Sequence, residues 1–319
     1  MNGILNVYKE KGYTSHDVVA KLRGICHQKK IGHTGTLDPD AEGVLPVCLG
    51  TAAKVCSLIT DKDKEYEAVL LLGIQTDTQD ISGKVQKEAA ADCTQQQVQE
   101  AVRSFEGVYE QVPPMYSALK VNGRKLCDLA RAGIEVERRP RQVQIYKITI
   151  EWIELPRVKM TVHCSKGTYI RTLCHDIGQK LGCGGCMEEL LRTRSGIFTV
   201  DAAVKLSKIE ELADSGRLQE ILLPVDRLFF EYPKAAVKAE FQKMLANGNR
   251  LPQHAFCIEN AAEAAESEPA GLQAAGQILS CETLRVYMEE DFFGIYAWDA
   301  RRKDYKPVKI FGREKPAGR

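Results

Sequence analysis

Gly32-His33-Thr34-Gly35-Thr36-Leu37-Asp38-Pro39-Asp40-Ala41-Glu42-Gly43-Val44-Leu45-Pro46-Val47-Cys48-Leu49-Gly50 places one carboxylate, that of Asp38, on a loop framed by glycines. Pro39 disfavours helical geometry at the residue before it, so we expect Asp38 to be extended. The glycines permit backbone angles and close approaches that side chains forbid. The apolar run from Val44 to Leu49 predicts a buried strand. This stretch therefore predicts an aspartate displayed at the edge of a buried sheet.

A carboxylate in this position has two interpretations. A fixed acid suits a nucleophile, because its position removes the entropy of finding the reacting carbon. An ordinary Asp-Pro turn is the other interpretation. Since short motifs often match by chance, spacing alone favours the turn.

Length and composition agree with a soluble globular protein such as an enzyme, without identifying it. The chain has 319 residues, which predicts about two domains, and a formal net charge of +1, so any RNA-binding surface must come from local charge asymmetry. Its apolar runs fall short of the roughly 18 residues of a membrane span. Met1 leads directly into a strand-like segment at residues 4–8, without a signal peptide. We expect a cytoplasmic protein that does not contact membranes.

Cofactor motifs are lacking in the sequence. The eleven cysteines are scattered and odd in number, as expected for reduced thiols. Cys183-Gly184-Gly185-Cys186 is a lone C-x-x-C, a weak zinc or redox signal for which a glycine-rich helix exit is the preferred interpretation. The chain has neither a P-loop nor a dinucleotide fingerprint. We predict an activity that uses no cofactor and no metal.

Periodicity predicts alternating groups of helices and strands. Helical spacing predicts helices over 15–26, with a capping box at Thr14 and Asp17, over 95–105 and over 168–181. Strands are predicted at 66–74, at 146–152 with Tyr146, Ile148, Ile150 and Trp152 on one face, and at 158–164. Neighbouring strands with helices between them favour an α+β fold with a mixed, mainly antiparallel sheet and flanking helices.

The segment from Lys120 to Arg141 concentrates positive charge. It holds seven basic residues (Lys120, Arg124, Lys125, Arg131, Arg138, Arg139 and Arg141) against three acidic ones (Asp128, Glu135 and Glu137). Contacts from such residues to phosphates would give an affinity that falls with salt. A solvated face of mixed charge is the alternative.

The C-terminal third differs in character. Residues 260–275 are rich in Ala and Glu, which is typical of a solvated loop or short helix. Strand-like pieces at 255–258 and 292–298 predict a small β-rich unit that begins near Tyr232.

Several long blocks resemble, in collinear order, the tRNA pseudouridine synthase B family, whose members isomerise uridine 55 in the T loop of tRNA. Because many blocks match over about the first two hundred residues, chance is a poor explanation. The blocks are residues 9–15 (KEKGYTS), 32–50, 63–68 (DKEYEA), 112–120 (VPPMYSALK) and 164–173 (CSKGTYIRTL).

The resemblance implies roles for residues of the pocket. Asp38 is implied as the catalytic acid, either attacking the sugar or helping to remove a proton, and Arg171 as its partner. Tyr66 is implied to stack on the uracil, with Tyr169 and Leu190 lining the pocket. A core side chain is the alternative for each of these three, and it is nearly as well supported for Leu190.

The resemblance also implies how RNA is held. His33 is implied to fill space left in the T loop by the displaced bases, although a lone loop histidine is more often a structural hydrogen bonder. The basic segment, about residues 120–141, is implied to be a thumb-like insertion whose Arg138, Arg139 and Arg141 contact the RNA backbone. Lys54 could reach a phosphate or remain solvated. Glu10 departs from the family, which usually has proline after Lys9, and we expect a small effect on loop rigidity.

The domain organisation follows from the same resemblance. Residues 1–231 are expected to form the catalytic domain with a pseudouridine synthase fold, and residues 232–319 a PUA-like RNA-binding domain. The implied partner is the T stem-loop of tRNA, with no obligate protein partner, and we expect a monomer.

Two alternatives remain open at this level. One is a relative that works within a guide-RNA particle, against which the basic insertion argues because guided relatives lack it. The other is a tRNA-folding factor whose modification activity is secondary or absent.

Overall fold

The computed structural model describes residues 1–258 and 282–312. The predicted solvated segment at 260–275 lies outside the described residues. The helices are α1 (Ser15–Ile25), α2 (Cys56–Thr60), α3 (Gln95–Arg103), α4 (Leu126–Arg131), α5 (Ile170–Lys180), α6 (Leu206–Asp214) and α7 (Gln242–Ala246). The first strands are β1 (Gly3–Lys9), β2 (Ile31–His33), β3 (Glu42–Leu49), β4 (Lys64–Leu72), β5 (Ile74–Thr76), β6 (Val85–Glu88), β7 (Gly107–Gln111), β8 (Lys120–Val121), β9 (Arg124–Lys125), β10 (Arg141–Glu154) and β11 (Arg157–Cys164). They are followed by β12 (Gly185–Ser195), β13 (Phe198–Thr199), β14 (Val204–Lys205), β15 (Leu222–Leu223), β16 (Lys234–Val237), β17 (Leu251–Pro252), β18 (Phe256–Ile258), β19 (Thr283–Met288), β20 (Asp291–Asp299) and β21 (Asp304–Ile310).

An eleven-stranded sheet organises the first part of the chain. Its main path runs β14-β1-β3-β12-β4-β11-β10-β7, with β2 paired to β3. The pairs β4–β11, β10–β11, β7–β10 and β4–β12 are antiparallel, whereas β1–β14 and β3–β12 are parallel. This confirms the predicted mixed, mainly antiparallel sheet.

Two apolar cores pack against this sheet. Leu70, Met160 and Ile177 belong to the core that β4, β10 and β11 share with α3 and α5. Val18 and Leu45 belong to a second core, which joins α1 and α6 to β1 and β3. The predicted strand at 44–49 is confirmed, since every one of its side chains is buried. The strand that follows the Asp38 loop is therefore fixed by the core against which it packs.

The predicted capping box is confirmed at the start of α1. The Asp17 amide donates to Thr14 Oγ1 over 3.1 Å, and the Thr14 amide donates to Asp17 Oδ2 over 2.8 Å. The predicted helices at 95–105 and 168–181 are likewise present, as α3 and α5.

The predicted alternation along β10 is wrong at its first position. Tyr146 is 52% exposed, whereas Ile145 and Ile148 are buried in the core. A β-bulge lies between Ile145 and Lys147 in the pairing with β11, and the extra residue of a bulge shifts the side-chain alternation. Periodicity read from the sequence does not include such a shift.

The packing of the chain divides it into two compact units. One consists of Met1, Leu5–Leu49 and Val55–Leu222, and the other of Asn2–Ile4, Gly50–Lys54 and Leu223–Arg319. Within the second unit a six-stranded sheet runs β17-β21-β20-β19-β16-β18 around buried Leu284, Tyr296 and Tyr305. The predicted strands at 255–258 and 292–298 correspond to β18 and β20.

Candidate active site

The loop that carries Asp38 lies on a buried lysine. Lys9, at the end of β1, is fully buried, and its Nζ donates to the carbonyl oxygens of Ala41 at 2.6 Å and Pro39 at 3.0 Å. Burial lowers the pKa of Lys9 to about 8. The amide of Gly12 also donates to the Pro39 carbonyl, over 2.9 Å. The Pro39 and Ala41 carbonyl groups thus have buried hydrogen-bond donors, which fix the position of the loop.

Helix α1 supports the same loop from another side. The amide of Leu37 donates to Ser15 Oγ over 2.9 Å, and Leu37 itself is buried. Glu10, the departure from the family pattern, offers its carbonyl to Lys9 Nζ at 3.3 Å and places its carboxylate 3.6 Å from Lys205 Nζ. The backbone of Glu10 thus takes part in holding Lys9.

Gly43, which follows the Asp38 loop in the chain, is a position that requires glycine. Gly43 has φ +104°, and a Cβ built on it would lie 2.3 Å from the carbonyl oxygen of Arg192. Gly43 pairs with Arg192 where β3 runs parallel to β12. This close approach sets the distance between the loop and β12.

Asp38 and Arg171 form a bidentate ion pair. Arg171 Nε lies 2.9 Å from Asp38 Oδ2, and Nη2 lies 3.2 Å from Oδ1. The Asp38 side chain is 36% exposed, whereas that of Arg171 is 5% exposed. A buried guanidinium therefore orients a carboxylate that stays accessible from outside.

Main-chain carbonyl groups fix Arg171 in turn. Nη1 donates to the Thr78 carbonyl over 3.0 Å, and Nη2 donates to the Tyr116 carbonyl over 2.8 Å. Arg171 lies in the first turn of α5, whose buried residues hold the helix against the sheet. The guanidinium is thereby held in one orientation by groups of the protein itself.

Asp80 is a second carboxylate on Arg171, and the sequence reasoning missed it. Its Oδ2 lies 3.6 Å from Arg171 Nη1. Thr78 Oγ1 and Ser82 Oγ donate to its Oδ1 over 2.8 and 2.6 Å, which orients the other oxygen towards the arginine. The signal available in the sequence was an aspartate with hydroxyl residues two positions away on either side, a pattern typical of a turn stabilised by side chains.

Two opposing effects act on the ionisation of Asp38. Burial raises the pKa of Asp38, and the positive charge of Arg171 opposes that shift. The negative charge of Asp80 raises the pKa of Asp38 further. The carboxylate is consequently a stronger base than a solvated aspartate.

Tyr66 lies beside a buried arginine that was also missed. Tyr66 on β4 pairs in register with Arg192 on β12, and both are buried. Burial raises the pKa of the Tyr66 phenol, while the charge and hydrogen bond of Arg192 oppose this shift. Arg192 Nε donates to the Val44 carbonyl over 2.7 Å, so one side chain links Tyr66 to β3, the strand after the Asp38 loop.

Tyr169 is held at the start of α5 by Gln111. Its amide donates to Gln111 Oε1 over 2.8 Å, and Gln111 Nε2 donates back to its carbonyl over 2.9 Å. Burial is the main cause that raises the pKa of Tyr169. Asp38 adds a smaller upward contribution to the pKa of both Tyr66 and Tyr169, because the two phenols lie near its charge.

Leu190 and His33 occupy the margins of this arrangement. Leu190 pairs with Ala68 on β4, two residues from Tyr66, and packs partly buried against the first core. His33 ends β2, its ring centroid lies 5.3 Å from that of His16, and its Nδ1 accepts from the Gly35 amide at 3.4 Å. Burial lowers the pKa of His33. The neutral form of His33 is therefore favoured near neutral pH.

Comparison with known proteins assigns the family. The model of the TruB family pseudouridylate synthase N-terminal domain matches residues 23–170, and that of the tRNA pseudouridylate synthase B C-terminal domain matches residues 171–229. A protein named tRNA pseudouridine synthase B from Lachnoclostridium phytofermentans is 52% identical over 98% of this chain and 100% of its own length. The chain belongs to the TruB pseudouridylate synthase family.

Other TruB relatives and solved structures agree. Proteins of the same name from Alkaliphilus oremlandii and Clostridium tetani are 46% and 41% identical, each over 97% of this chain and over 97% and 99% of their own lengths. A chain in an H/ACA RNP bound to a substrate RNA containing 2'-deoxyuridine has a TM-score of 0.68 at 23% identity, covering 98% of this chain and 86% of that one. A chain of a Cbf5-Nop10-Gar1 complex has a TM-score of 0.67 at 25% identity, covering 97% and 84%. These solved structures share the fold of this chain.

The residues predicted to contact the RNA backbone differ in their surroundings. Arg139 is exposed, and Arg141 begins β10 opposite Gln111. Arg138 is only 22% exposed and donates to the Pro113 carbonyl. Lys54 donates to the carbonyl groups of Ile310 and Phe311 over 2.9 and 3.3 Å. The amine of Lys54 is therefore engaged with the backbone of its own unit.

Neither a metal site nor a membrane helix is found in the part of the chain that the structure describes. Residues 1–258 and 282–312 contain no group of three or more His, Cys, Asp or Glu side chains that could hold a metal ion. Within the same ranges, helices long and apolar enough to cross a bilayer are absent.

Proposed function

We propose that this protein isomerises uridine to pseudouridine at position 55 in the T loop of tRNA, with Asp38 as the reacting carboxylate. Membership of the TruB family and relatives named tRNA pseudouridine synthase B support the isomerisation in tRNA. The observation that carries the assignment of the site is the Asp38–Arg171 pair, an accessible carboxylate oriented by a buried guanidinium.

The reaction needs few groups. The bond between N1 of uracil and C1' of ribose breaks, the base turns, and a bond forms between C5 and C1', while the hydrogen on C5 leaves as a proton and N1 gains one. Oxidation state and composition are unchanged, so the balance requires no cofactor. Asp38 either adds to C1' and is displaced when the bond to C5 forms, or removes a proton from the sugar and returns it when that bond forms. Both routes need the ionised carboxylate that Arg171 stabilises.

The other pocket residues handle the base. Uridine within a folded T loop must be extruded at a cost of a few kcal/mol. In this proposal Tyr66 stacks on the extruded uracil, Tyr169 and Leu190 line the pocket, and His33 fills the space that the base leaves. The buried edge of Tyr66 is held by Arg192, which keeps the stacking face in one orientation.

RNA binding is assigned to the basic segment and to the second unit. Exposed Arg139, together with Arg141, is proposed to contact tRNA phosphates. The part of the chain after about residue 231 is proposed to be a PUA-like RNA-binding domain. We further propose that the protein acts in the cytoplasm as a monomer without an obligate protein partner. Light scattering of the protein with and without tRNA tests that state: a larger assembly would contradict it.

Tritium release tests the activity. Unmodified tRNA labelled with tritium at C5 of uridine is incubated with the wild type or with Asp38→Asn, and the modified position is then mapped. Release by the wild type alone, at position 55, is expected. Release at another position would change the substrate. Binding of tRNA without release would favour a folding factor, and release that requires an added guide RNA would favour the guided class.

A further inference from the structure

Arg138 differs from the arginines around it because its side chain is engaged with the protein itself. Its Nη1 donates to the Pro113 carbonyl over 3.2 Å. Nη2 lies 3.6 Å from Glu135, whose side chain is 83% exposed, so this ion pair contributes little. Nε is buried, with no hydrogen-bond partner among the described residues. The neighbouring Arg139 is exposed.

Pro113 begins a short segment that holds the two residues at the start of α5. Within this segment the Tyr116 carbonyl accepts from Arg171 Nη2 over 2.8 Å. Just before it, the buried Gln111 exchanges two hydrogen bonds with the backbone of Tyr169. Segment 111–117 therefore positions both Arg171 and Tyr169 from outside their own helix.

The same segment is tied to the basic insertion at its other end. The amide of Cys127 donates to the Ser117 carbonyl over 3.0 Å, and the amide of Leu126 donates to the Leu119 carbonyl over 2.8 Å. Leu126 and Leu129 of α4 are buried. The start of α4 and Arg138 thus attach the insertion at two points to segment 113–119, whose Tyr116 carbonyl accepts from Arg171.

We infer that Arg138 is a positioning residue that couples the basic insertion to the catalytic Arg171 through the Pro113 and Tyr116 carbonyl groups. The inference rests on the proposed function, since the insertion must meet RNA for the coupling to matter. By binding the Pro113 carbonyl, Arg138 holds segment 113–116 in the position in which the Tyr116 carbonyl accepts from Arg171 Nη2. The same Nη2 also donates to Asp38 Oδ1. RNA bound to the insertion then stabilises the arrangement of Arg171 that the reaction needs.

Arg138→Gln and Arg139→Gln form a matched pair for the test, because each removes one charge from adjacent positions. Single-turnover tritium release at saturating tRNA and the tRNA Kd at several salt concentrations are measured for both. For Arg138→Gln we expect a saturating rate about tenfold lower with Kd changed by less than about twofold. For Arg139→Gln we expect weaker tRNA binding, that is, a higher Kd. The slope of log affinity against log salt concentration should be smaller in magnitude by about 1.

Arg138→Lys separates positioning from folding. A lysine ammonium can still donate to the Pro113 carbonyl, so part of the rate is expected to return, and circular dichroism melting reports whether each variant is folded. The inference is overturned if Arg138→Gln weakens binding and flattens the salt slope at an unchanged rate, which is the behaviour of a phosphate contact. It is equally overturned if a folded Arg138→Lys is no faster than Arg138→Gln. An inactive wild type that binds tRNA would instead refute the proposed function.

Discussion

Arg171 meets Asp38 with two nitrogen atoms, Nε at 2.9 Å from Oδ2 and Nη2 at 3.2 Å from Oδ1. The planar guanidinium matches the two oxygens, so the pair fixes the direction of the carboxylate as well as its charge. Because Arg171 is buried and Asp38 is partly accessible, the orienting guanidinium is shielded from water while the carboxylate stays open to the outside.

Replacing Arg171 by lysine keeps the charge and removes the planar fork. A single ammonium cannot satisfy Asp38, the Thr78 carbonyl and the Tyr116 carbonyl in the same geometry. We expect the single-turnover rate of Arg171→Lys to fall by roughly a hundredfold, with tRNA affinity preserved. Rapid-quench tritium release with a parallel filter-binding assay measures both. A rate within twofold of the wild type would show that charge alone suffices.

The acid side of the pH–rate profile reports on Asp38. Its pKa is raised above the ordinary 3.8, chiefly by burial, and the reaction needs the ionised form. Activity should therefore fall as pH decreases through this raised pKa, at a pH where a solvated aspartate is still ionised. Single-turnover rates at saturating tRNA, measured in a constant-ionic-strength buffer series, give the profile. A rate independent of pH down to 4 would contradict the assignment.

Asp80→Asn should move that profile in a defined direction. The charge of Asp80 raises the pKa of Asp38, so its removal lowers this pKa and shifts the acid limb to lower pH. The rate on the plateau should drop by about tenfold, because Arg171 loses an orienting partner at 3.6 Å. Asp77→Asn is the matched control from the same turn, where the carboxylate accepts from the Lys84 amide and is not paired with Arg171 in the contacts of the described residues. An equal shift in both variants would argue for a general effect on the turn.

Lys9→Met tests the support of the catalytic loop. The substitution leaves the Ala41 carbonyl without its buried donor, at a cost of about 1–3 kcal/mol for an unsatisfied group, while the Pro39 carbonyl keeps the Gly12 amide as a donor. We expect a lower melting temperature and a slower reaction at unchanged tRNA affinity. Exposed Lys11→Met is the control, and equal losses in the two variants would contradict a specific role for Lys9.

The lowered pKa of Lys9 adds a prediction about stability. The folded protein releases the Lys9 proton at about 8, whereas the unfolded chain releases it near 10.5. Between these values the unfolded state binds more protons, so this residue makes folding more favourable as pH rises. Urea unfolding between pH 7.5 and 10 should show a shallower rise for Lys9→Met than for the wild type.

Gly43→Ala should be strongly destabilising. The added methyl group would lie 2.3 Å from the Arg192 carbonyl oxygen at φ +104°. We expect the free energy of unfolding to fall by more than about 3 kcal/mol, the sum of a steric clash and backbone strain. Gly12→Ala separates the two, because Gly12 has φ +89° with no neighbouring atom within 4 Å and should show the strain alone. Urea unfolding curves that coincide for the two variants would remove the clash from the explanation.

Local sequence patterns determined much of the framework. The capping box of α1, the buried strand at 44–49 and helices α3 and α5 follow from signals within a few residues of each other, because hydrogen bonding and periodicity along one element are local. Spacing alone favours an ordinary Asp-Pro turn at Asp38, and only the resemblance to a family makes it the predicted catalytic acid. Resemblance to a family, rather than spacing, made Arg171 its predicted partner.

Tertiary structure alone decided how that site is held. Asp38 and Arg171 are 133 positions apart, and Lys9 reaches Ala41 across 32 positions, so no periodic pattern links them. The same holds for Arg192 beside Tyr66 and for Arg138 on Pro113, whose neighbours are set by strand register and by the path of the insertion. From sequence alone a charged side chain is expected to be solvated, because such residues are mostly exposed. Only the tertiary structure shows which charged side chains are buried and hydrogen-bonded to particular carbonyl groups. The sequence by itself therefore predicted most of the elements, and folding decided which distant charges orient the Asp38 carboxylate.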